Sequence, residues 1–512
     1  MKRRLLFAAV LVVLLAAVAA LAASIGSSGA ARAAYPVPHP TVTDYQFIKA
    51  STPTEADCEA VARTCFTPQA IRSAYNLAPL YANNWNGKGV TIAIVDSYGS
   101  DTMAHDLHVF NQAFGLQSMC GEEGVTCAPG MPTFSELAIN GSPDTTAQPG
   151  NGTHQEDKSA WALEVALDVE TSHAIAPMAN ILLVHSNNAE TLGVQGFPNM
   201  MKAEDYVISN HLAQVISQSF ASAEDAFNGT ASLLNLRYAF QHAAANGLTV
   251  LGSSGDGGSA NVVKSPVAAG GKLIPYPTVE WPASDPLVTG VGGTYLCTDP
   301  TANGTPSRTP YIHAGIGAKC GSATFNAAHA AEVAWTFSGG GFSRVFSRPS
   351  YQDGPLPAGS TPIPASARGV PDIAFQASSA TGALVYLSLP PDGNDSNINQ
   401  TGWYDIGGTS LSCPQWAGLV AIADQMNKAS HPNEFGLGVI NPALYRLGAN
   451  PAKYAADFFD VNHTAVAGVA NDNQGDPSVP GFPATDGWDP VTGLGTPNAA
   501  ALIPDLVAAA HS

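Results

Sequence analysis

Three short stretches of this sequence carry side chains whose types and spacing suit covalent chemistry. The first is Gly407-Gly408-Thr409-Ser410-Leu411-Ser412-Cys413-Pro414, which runs on into Gln415-Trp416-Ala417-Gly418-Leu419-Val420-Ala421. Small residues make a tight turn, and an apolar helix follows. A serine at that junction lies at a helix N-terminus, where the dipole and the free N–H groups favour a developing negative charge. The second is Glu164 and Asp168, within Trp161-Ala162-Leu163-Glu164-Val165-Ala166-Leu167-Asp168-Val169-Glu170. Their spacing puts both carboxylates on one helix face. Two like charges among apolar neighbours destabilise a helix unless they share a proton, which raises the apparent pKa of the pair. Such a carboxylate can act as a base under acidic conditions. The third is Ser253-Ser254-Gly255-Asp256-Gly257-Gly258, after the apolar run ending at Leu251. An aspartate on a glycine-rich turn at a strand's carboxyl end is in position to meet a ligand. Taken singly, the three also fit a capping serine, a solvated acidic face and an Asx-turn.

The elements that must position them are legible in the apolar pattern. Gly89 to Asp96 reads as a buried strand with a polar end, Trp161 to Thr171 as a helix, and Ile181 to Val184 as a second buried strand. Gln214 to Ser217 and Thr249 to Gly252 repeat the strand form, with a helical pattern from Ala231 to Ala245 between them. Strands alternating with helices predict an α/β fold, a doubly wound, mostly parallel sheet flanked by helices. Apolar strand runs of this kind belong to a sheet covered on both faces. Tyr35 to Phe66 reads as short and irregular, and globular patterning begins near Thr67.

Composition narrows the class. The 512 residues are 45% hydrophobic and 12% charged, with a net charge of −19. A chain this acidic lacks the Lys and Arg that nucleic-acid phosphates require, and no nucleic-acid partner is expected. Lys2, Arg3 and Arg4 precede an apolar run from Leu5 to Ala23, and Ala31-Arg32-Ala33 fits a cleavage site. That is the layout of a secretory signal over residues 1–33, predicting export and no membrane association after cleavage; an uncleaved anchor is the alternative. Of the seven cysteines, Cys58 and Cys65, Cys120 and Cys127, and Cys297 and Cys320 are neighbouring pairs and are read as disulfides of an oxidising compartment. Proximity alone selects these from the fifteen possible pairings of six cysteines. Cys413 is left over in an apolar helix and is expected to be a buried thiol.

Taken together and in order, these motifs resemble the sedolisins, the serine-carboxyl peptidases of subtilisin-like fold. The likeness runs from Thr67 to about Ala500. It also takes in Trp281-Pro282-Ala283-Ser284, Val291-Gly292-Gly293-Thr294, and Ser338-Gly339-Gly340-Gly341-Phe342-Ser343 with Pro349 and Tyr351-Gln352 beyond. The resemblance implies a monomeric serine peptidase acting on polypeptides in acid, with endopeptidase action expected. Ser410 would be the nucleophile, Glu164 the general base, and Asp168 the group that orients Glu164 and shares its proton. Asp256 would be protonated and donate to the oxyanion. It also implies one structural Ca2+ ion near the C-terminus. The Asp460 and Asp489 carboxylates and the carbonyls of Val461, Thr485 and Gly487 would hold it, Thr485 standing where the family usually has Gly. Sedolisins carry a large globular prosegment, and residues 34–66 are too few for one, so this chain is expected to fold without it. Two rivals remain at this stage. One is an inactive secreted protein on the same fold. The other is a subtilisin-type peptidase, with Asp96 and His154 supplying an Asp-His-Ser triad.

Overall fold

A computed structural model describes residues 44–139, 155–186, 196–262, 273–311, 318–388 and 400–512. The signal region 1–33 and His154 lie outside the described residues.

The strands of three residues or more are β1 (Tyr45–Lys49), β2 (Thr91–Ser97), β3 (Phe134–Ile139), β4 (Asn180–Ser186), β5 (Val215–Gln218), β6 (Thr249–Ser253), β7 (Thr289–Leu296), β8 (Glu332–Ala334), β9 (Ile373–Gln376), β10 (Ala383–Leu387) and β11 (Gly402–Ile406). The principal helices are α1 (Met103–Phe114), α2 (Gln155–Ile175), α3 (Phe197–Ser209), α4 (Tyr238–Ala245), α5 (Thr409–Ser430), α6 (Asn441–Gly448) and α7 (Ala499–Ala510).

Eight strands form the central sheet in the order β8-β7-β6-β5-β2-β4-β3, with β9 pairing parallel to β7. Every other pair is parallel except β8 with β7. The sheet separates two apolar layers. On one side α2, α5 and α7 pack with Ile92, Ile94, Ile181, Leu183 and Val215. On the other, α3 and α4 cover Ala93, Val95, Val184 and Ile216. Alternate residues of one strand thus feed opposite layers, which is why these strands read as unbroken apolar runs. This is the subtilisin-like arrangement that the sequence predicts.

α2 is buried all round from Trp161 to Ile175, and α5 from Thr409 to Asp424. Helices apolar on every face belong in the interior of a large domain. The two lie against each other, and Gly418 sets their separation. A Cβ there would come within 2.7 Å of the Ile175 Cβ.

Two local expectations give way to the structure. The helix read as continuous from Ala231 to Ala245 is two, Thr230–Leu234 and α4. The break lets Arg237 reach Asp285 with two hydrogen bonds of 2.5 and 2.9 Å. The stretch read as irregular before Thr67 contains β1, which pairs antiparallel with β11. Its strand state comes from a partner more than 350 residues away, which no local pattern carries. All three expected disulfides form, and Cys413 is the buried free thiol.

Acid residues without ion-pair partners are common in this interior. Burial raises Asp96 and Asp424 to about 8 and Asp106 to about 6. Each group holds its proton in the folded state but releases it near pH 4 when unfolded. The stability so gained is complete below about pH 4 and is lost as pH rises through 6 to 8. Melting temperatures followed by circular dichroism at constant ionic strength should be higher at pH 4 than at pH 8, by more than about 5 °C. Equal or reversed values would contradict this account.

Candidate active site

The chain turns abruptly where β11 meets α5. Gly408 caps the helix with φ +112°, a conformation that L side chains rarely adopt. Ser410 is therefore the second residue of α5, fully buried, at the positive end of a 22-residue helix.

α2 brings Glu164 and Asp168 to the same place, both fully buried. Desolvation pushes Glu164 well above the ordinary carboxylate range, and the charges of Asp168 and Asp96 push it further. The nearby Ser410 hydroxyl acts against that rise. Asp168 is also raised well above its ordinary value, first by burial and then by Asp96. Ser219, just beyond β5, donates its hydroxyl to Asp168 Oδ1 at 3.0 Å. The i, i+4 pair read from the sequence is thus a buried pair of carboxyls beside the serine, and the solvated-face alternative falls away.

β6 and the turn after it supply Asp256. Its Oδ1 accepts two hydrogen bonds of 2.8 Å from Thr409, one from the backbone N–H and one from the hydroxyl. The Gly255 N–H in turn donates to Thr409 Oγ1 at 3.0 Å. Thr409 therefore clips the Asp256 turn to the first residue of α5. The Ser338–Phe342 segment crosses the same turn, with the Gly339 N–H on the Gly255 carbonyl at 2.8 Å. A Cβ at Gly339 would meet the Ser254 carbonyl oxygen at 2.0 Å, so the crossing requires glycine.

Asp96 is the residue that the carboxylate reading of the sequence left out. It ends the apolar run of β2, is fully buried, and neither carboxylate oxygen has a hydrogen-bond partner. Its charge acts on both Glu164 and Asp168. A strand of apolar residues closing on an aspartate was the available signal. The arrangement gathers a hydroxyl at a helix N-terminus, three mutually coupled carboxyls beside it, and a fourth carboxyl tied to the same turn. Such a set can take a proton from the hydroxyl, hold it, and hydrogen-bond a developing oxyanion in acid. Cys413, one turn along α5, has its thiol pushed up to about 12 by burial and is inert at any working pH.

The residues expected to hold calcium also come together. Asp489 is fully buried. Burial raises it to about 8 and Asp460 to about 6; the charge of Asp460 adds to the rise at Asp489, and that of Asp486 to the rise at Asp460. Asp460 Oδ1 is buried without a hydrogen-bond partner, while Oδ2 accepts the Gly487 N–H at 2.9 Å. The Thr485 N–H reaches Asp489 Oδ2 at 3.2 Å. A buried carboxylate beside a partly buried one with an unsatisfied oxygen, and no cationic partner among the described residues, fits a hard cation with oxygen ligands.

Comparison with known proteins agrees with this geometry. The model of the subtilase family matches residues 87–451. Kumamolisin of Bacillus sp. (strain MN-32) is 30% identical over 457 residues, 89% of this chain and 66% of the relative. Tripeptidyl-peptidase 1 of Macaca fascicularis is 28% identical over 456 residues, 86% of this chain and 64% of the relative. The chain thus spans just under two thirds of the length of these curated relatives. Pseudomonas sedolisin, a serine-carboxyl proteinase solved with two molecules of pseudo-iodotyrostatin, superimposes with a TM-score of 0.58 at 25% identity. That match covers 86% of this chain and 98% of the sedolisin. A buried carboxyl, where a subtilisin would present an imidazole, faces the helix-terminal serine of this subtilisin-like sheet, and the chain belongs to the subtilase family, in its sedolisin or serine-carboxyl branch.

Proposed function

We propose that this protein is an exported, acid-active serine-carboxyl peptidase that hydrolyses polypeptides through an acyl-enzyme. The observation that carries the reading is the burial of Glu164 and Asp168 together beside Ser410. Ser410 Oγ attacks the scissile carbonyl carbon and passes its proton to Glu164. The oxyanion accepts hydrogen bonds from protonated Asp256 and from the Ser410 N–H. Glu164 then gives its proton to the leaving amine nitrogen, and the C–N bond breaks to leave an ester on Ser410. Water attacks that ester with Glu164 again as base, releasing the acid and restoring the serine. Asp168 orients Glu164 and shares its proton, as a buried aspartate does for histidine in the imidazole triad. Asp96 adds a third charge that discourages ionisation of the pair.

Three disulfides support passage through an oxidising compartment, and no helix among the described residues is long and apolar enough to cross a membrane. In our reading the substrate is an unfolded polypeptide and the enzyme a monomer. One Ca2+ ion would be held by Asp460, Asp489 and the carbonyls of Val461, Thr485 and Gly487. It would neutralise the buried carboxylates and tie the Asp460 segment to the loop at Gly487.

The pH–rate profile tests the chemistry. Activity on denatured casein should peak at about pH 3–5 and be nearly absent at pH 8, because raising pH strips the protons of the Glu164–Asp168 pair and of Asp256. Ser410→Ala should abolish hydrolysis while leaving the melting temperature within a few degrees. Asp256→Asn should lose roughly 10²–10³ in kcat at the acidic optimum and fall less steeply toward neutral pH. A rate that rises through a pKa near 6.5 to a plateau would make histidine the base and sink the proposal. Masses of the products, read in the same assay, separate internal cleavage from release of tripeptides.

Thr409→Val removes the hydroxyl that holds Asp256 Oδ1 but keeps the shape of the side chain. We expect kcat to fall about 10²-fold, the scale of a small misplacement in an active site, with KM and melting temperature little changed. Full activity in Thr409→Val would show that the clip is dispensable.

Removing calcium with excess chelator should lower the melting temperature markedly, since a ligand bound only to the native state adds RT ln(1 + [L]/Kd). Asp489→Asn should start lower and respond less to added Ca2+. A melting temperature unmoved by chelation would remove calcium from this reading.

A further inference from the structure

A second group of ligating side chains lies at the opposite end of α5, about 30 Å along the helix from Ser410. His431 is the C-cap residue, its N–H on the Asn427 carbonyl at 2.7 Å. The Glu434 N–H bonds the His431 carbonyl at 3.1 Å, closing a turn that brings the two side chains together. The third member, His511, comes from just beyond α7, 80 positions later. Arg446 of α6 anchors that end of the chain through the carbonyls of Ala509 and Ser512 at 2.8 and 2.5 Å.

The three side chains converge on Asn427, which is fully buried in the last turns of α5. His511 Nε2 and His431 Nδ1 lie 2.8 and 3.1 Å from Asn427 Oδ1. The amide nitrogen of Asn427 donates to Glu434 Oε2 at 3.0 Å, which fixes the orientation of the amide. His511 Nε2 lies 3.6 Å from Glu434 Oε2. The imidazole rings stack at 3.8 Å with 23° between their planes, and His431 Nδ1 and His511 Nε2 both lie against Asn427 Oδ1. One ligating atom from each of His431, Glu434 and His511 can be chosen so that all three lie within 4.8 Å of one another.

We propose that His431, Glu434 and His511, with Asn427 Oδ1 as a fourth donor, form a binding site for a borderline transition-metal ion, Zn2+ foremost. Ligands about 2.0–2.1 Å from a tetrahedral Zn2+ are roughly 3.3 Å apart, and the separations of 2.8, 3.1 and 3.6 Å bracket that value. Two imidazoles, one carboxylate and one amide oxygen suit Zn2+, Co2+ or Ni2+. The set offers too few oxygens for calcium, which takes six to eight. The ligand pattern is two residues three positions apart with one remote partner, so a bound ion would fasten the C-terminal helix to the end of the helix that carries Ser410. His431, Glu434 and His511 all reach solvent, which gives the ion a route in. Ligation requires neutral imidazoles, so the site is tested at neutral pH.

The experiment is calorimetric titration of the full chain with ZnCl2 at pH 7.5 in the presence of CaCl2, together with thermal melts. We expect one Zn2+ per chain and a rise in melting temperature of several degrees. His511→Ala and Glu434→Ala should each weaken binding by at least about 10-fold, while His105→Ala, at a site remote in sequence, should leave it unchanged. The zinc K-edge absorption of the loaded wild-type protein should show two imidazole ligands. Absence of saturable binding would overturn the proposal, as would undiminished binding in a natively folded His511→Ala. If His511→Ala does not fold, the absorption spectrum decides: a shell of water oxygens without imidazole overturns the site.

Discussion

Four carboxyl groups crowded into a dry interior set the terms for this molecule. Glu164, Asp168 and Asp96 are completely buried, and Asp256 nearly so. No arginine or lysine is among the groups that act on Glu164, Asp168 or Asp96. Charges placed so close in low dielectric cannot all ionise, so the cluster must retain protons. That one constraint links several properties. It underlies the proposed acid-base role of Glu164 and Asp168, and it makes the stability of the folded state depend on pH.

Holding such a cluster requires a rigid frame, and the surroundings supply one. α2 and α5 carry the two carboxyls and the serine, and both are buried on every face along the stretches that carry them, so neither can turn those side chains to water without disrupting the core. Their approach depends on Gly418, and the entry into α5 depends on the positive φ of Gly408. The Asp256 turn is fixed twice, by the Thr409 hydrogen bonds from below and by the Gly339 segment that crosses it. The glycine-rich motifs are therefore places where backbones pass too close for a side chain, and they lock three separate segments into one site.

The two metal sites inferred differ in a way their donors explain. Asp489 is buried and accepts four hydrogen bonds from Thr485, Val491 and Thr492, Asp460 beside it keeps one oxygen without a partner, and a calcium ion would neutralise the two there. His431, Glu434 and His511 lie at the surface with their hydrogen bonds made, and a zinc ion would reinforce a junction that already exists. Calcium would then be linked to folding, and zinc to the hold on the helix Ala499–Ala510.

Much of this was legible from local sequence. Apolar runs ending in Asp96 or Gly252 marked parallel strands, because a strand buried on both faces leaves no polar alternation. Glu164 and Asp168 declared a shared helix face through their spacing alone. Neighbouring cysteines indicated the disulfides, since short loops bring their sulfurs within bonding reach at little entropic cost. What local sequence could not carry was anything decided by distant partners. β1 looked irregular because its strand conformation depends on β11, and the Ala231–Ala245 helix divides because Arg237 turns to Asp285. Whether Glu164 and Asp168 faced water or the core rested on α5 packing over α2. Asp96 joined them only when the sheet set β2 beneath that helix, and His511 met His431 only when α7 folded back onto the end of α5. Residue types and spacings determined which chemistry was available; the tertiary packing decided which groups lost their water, and burial is what moves a pKa.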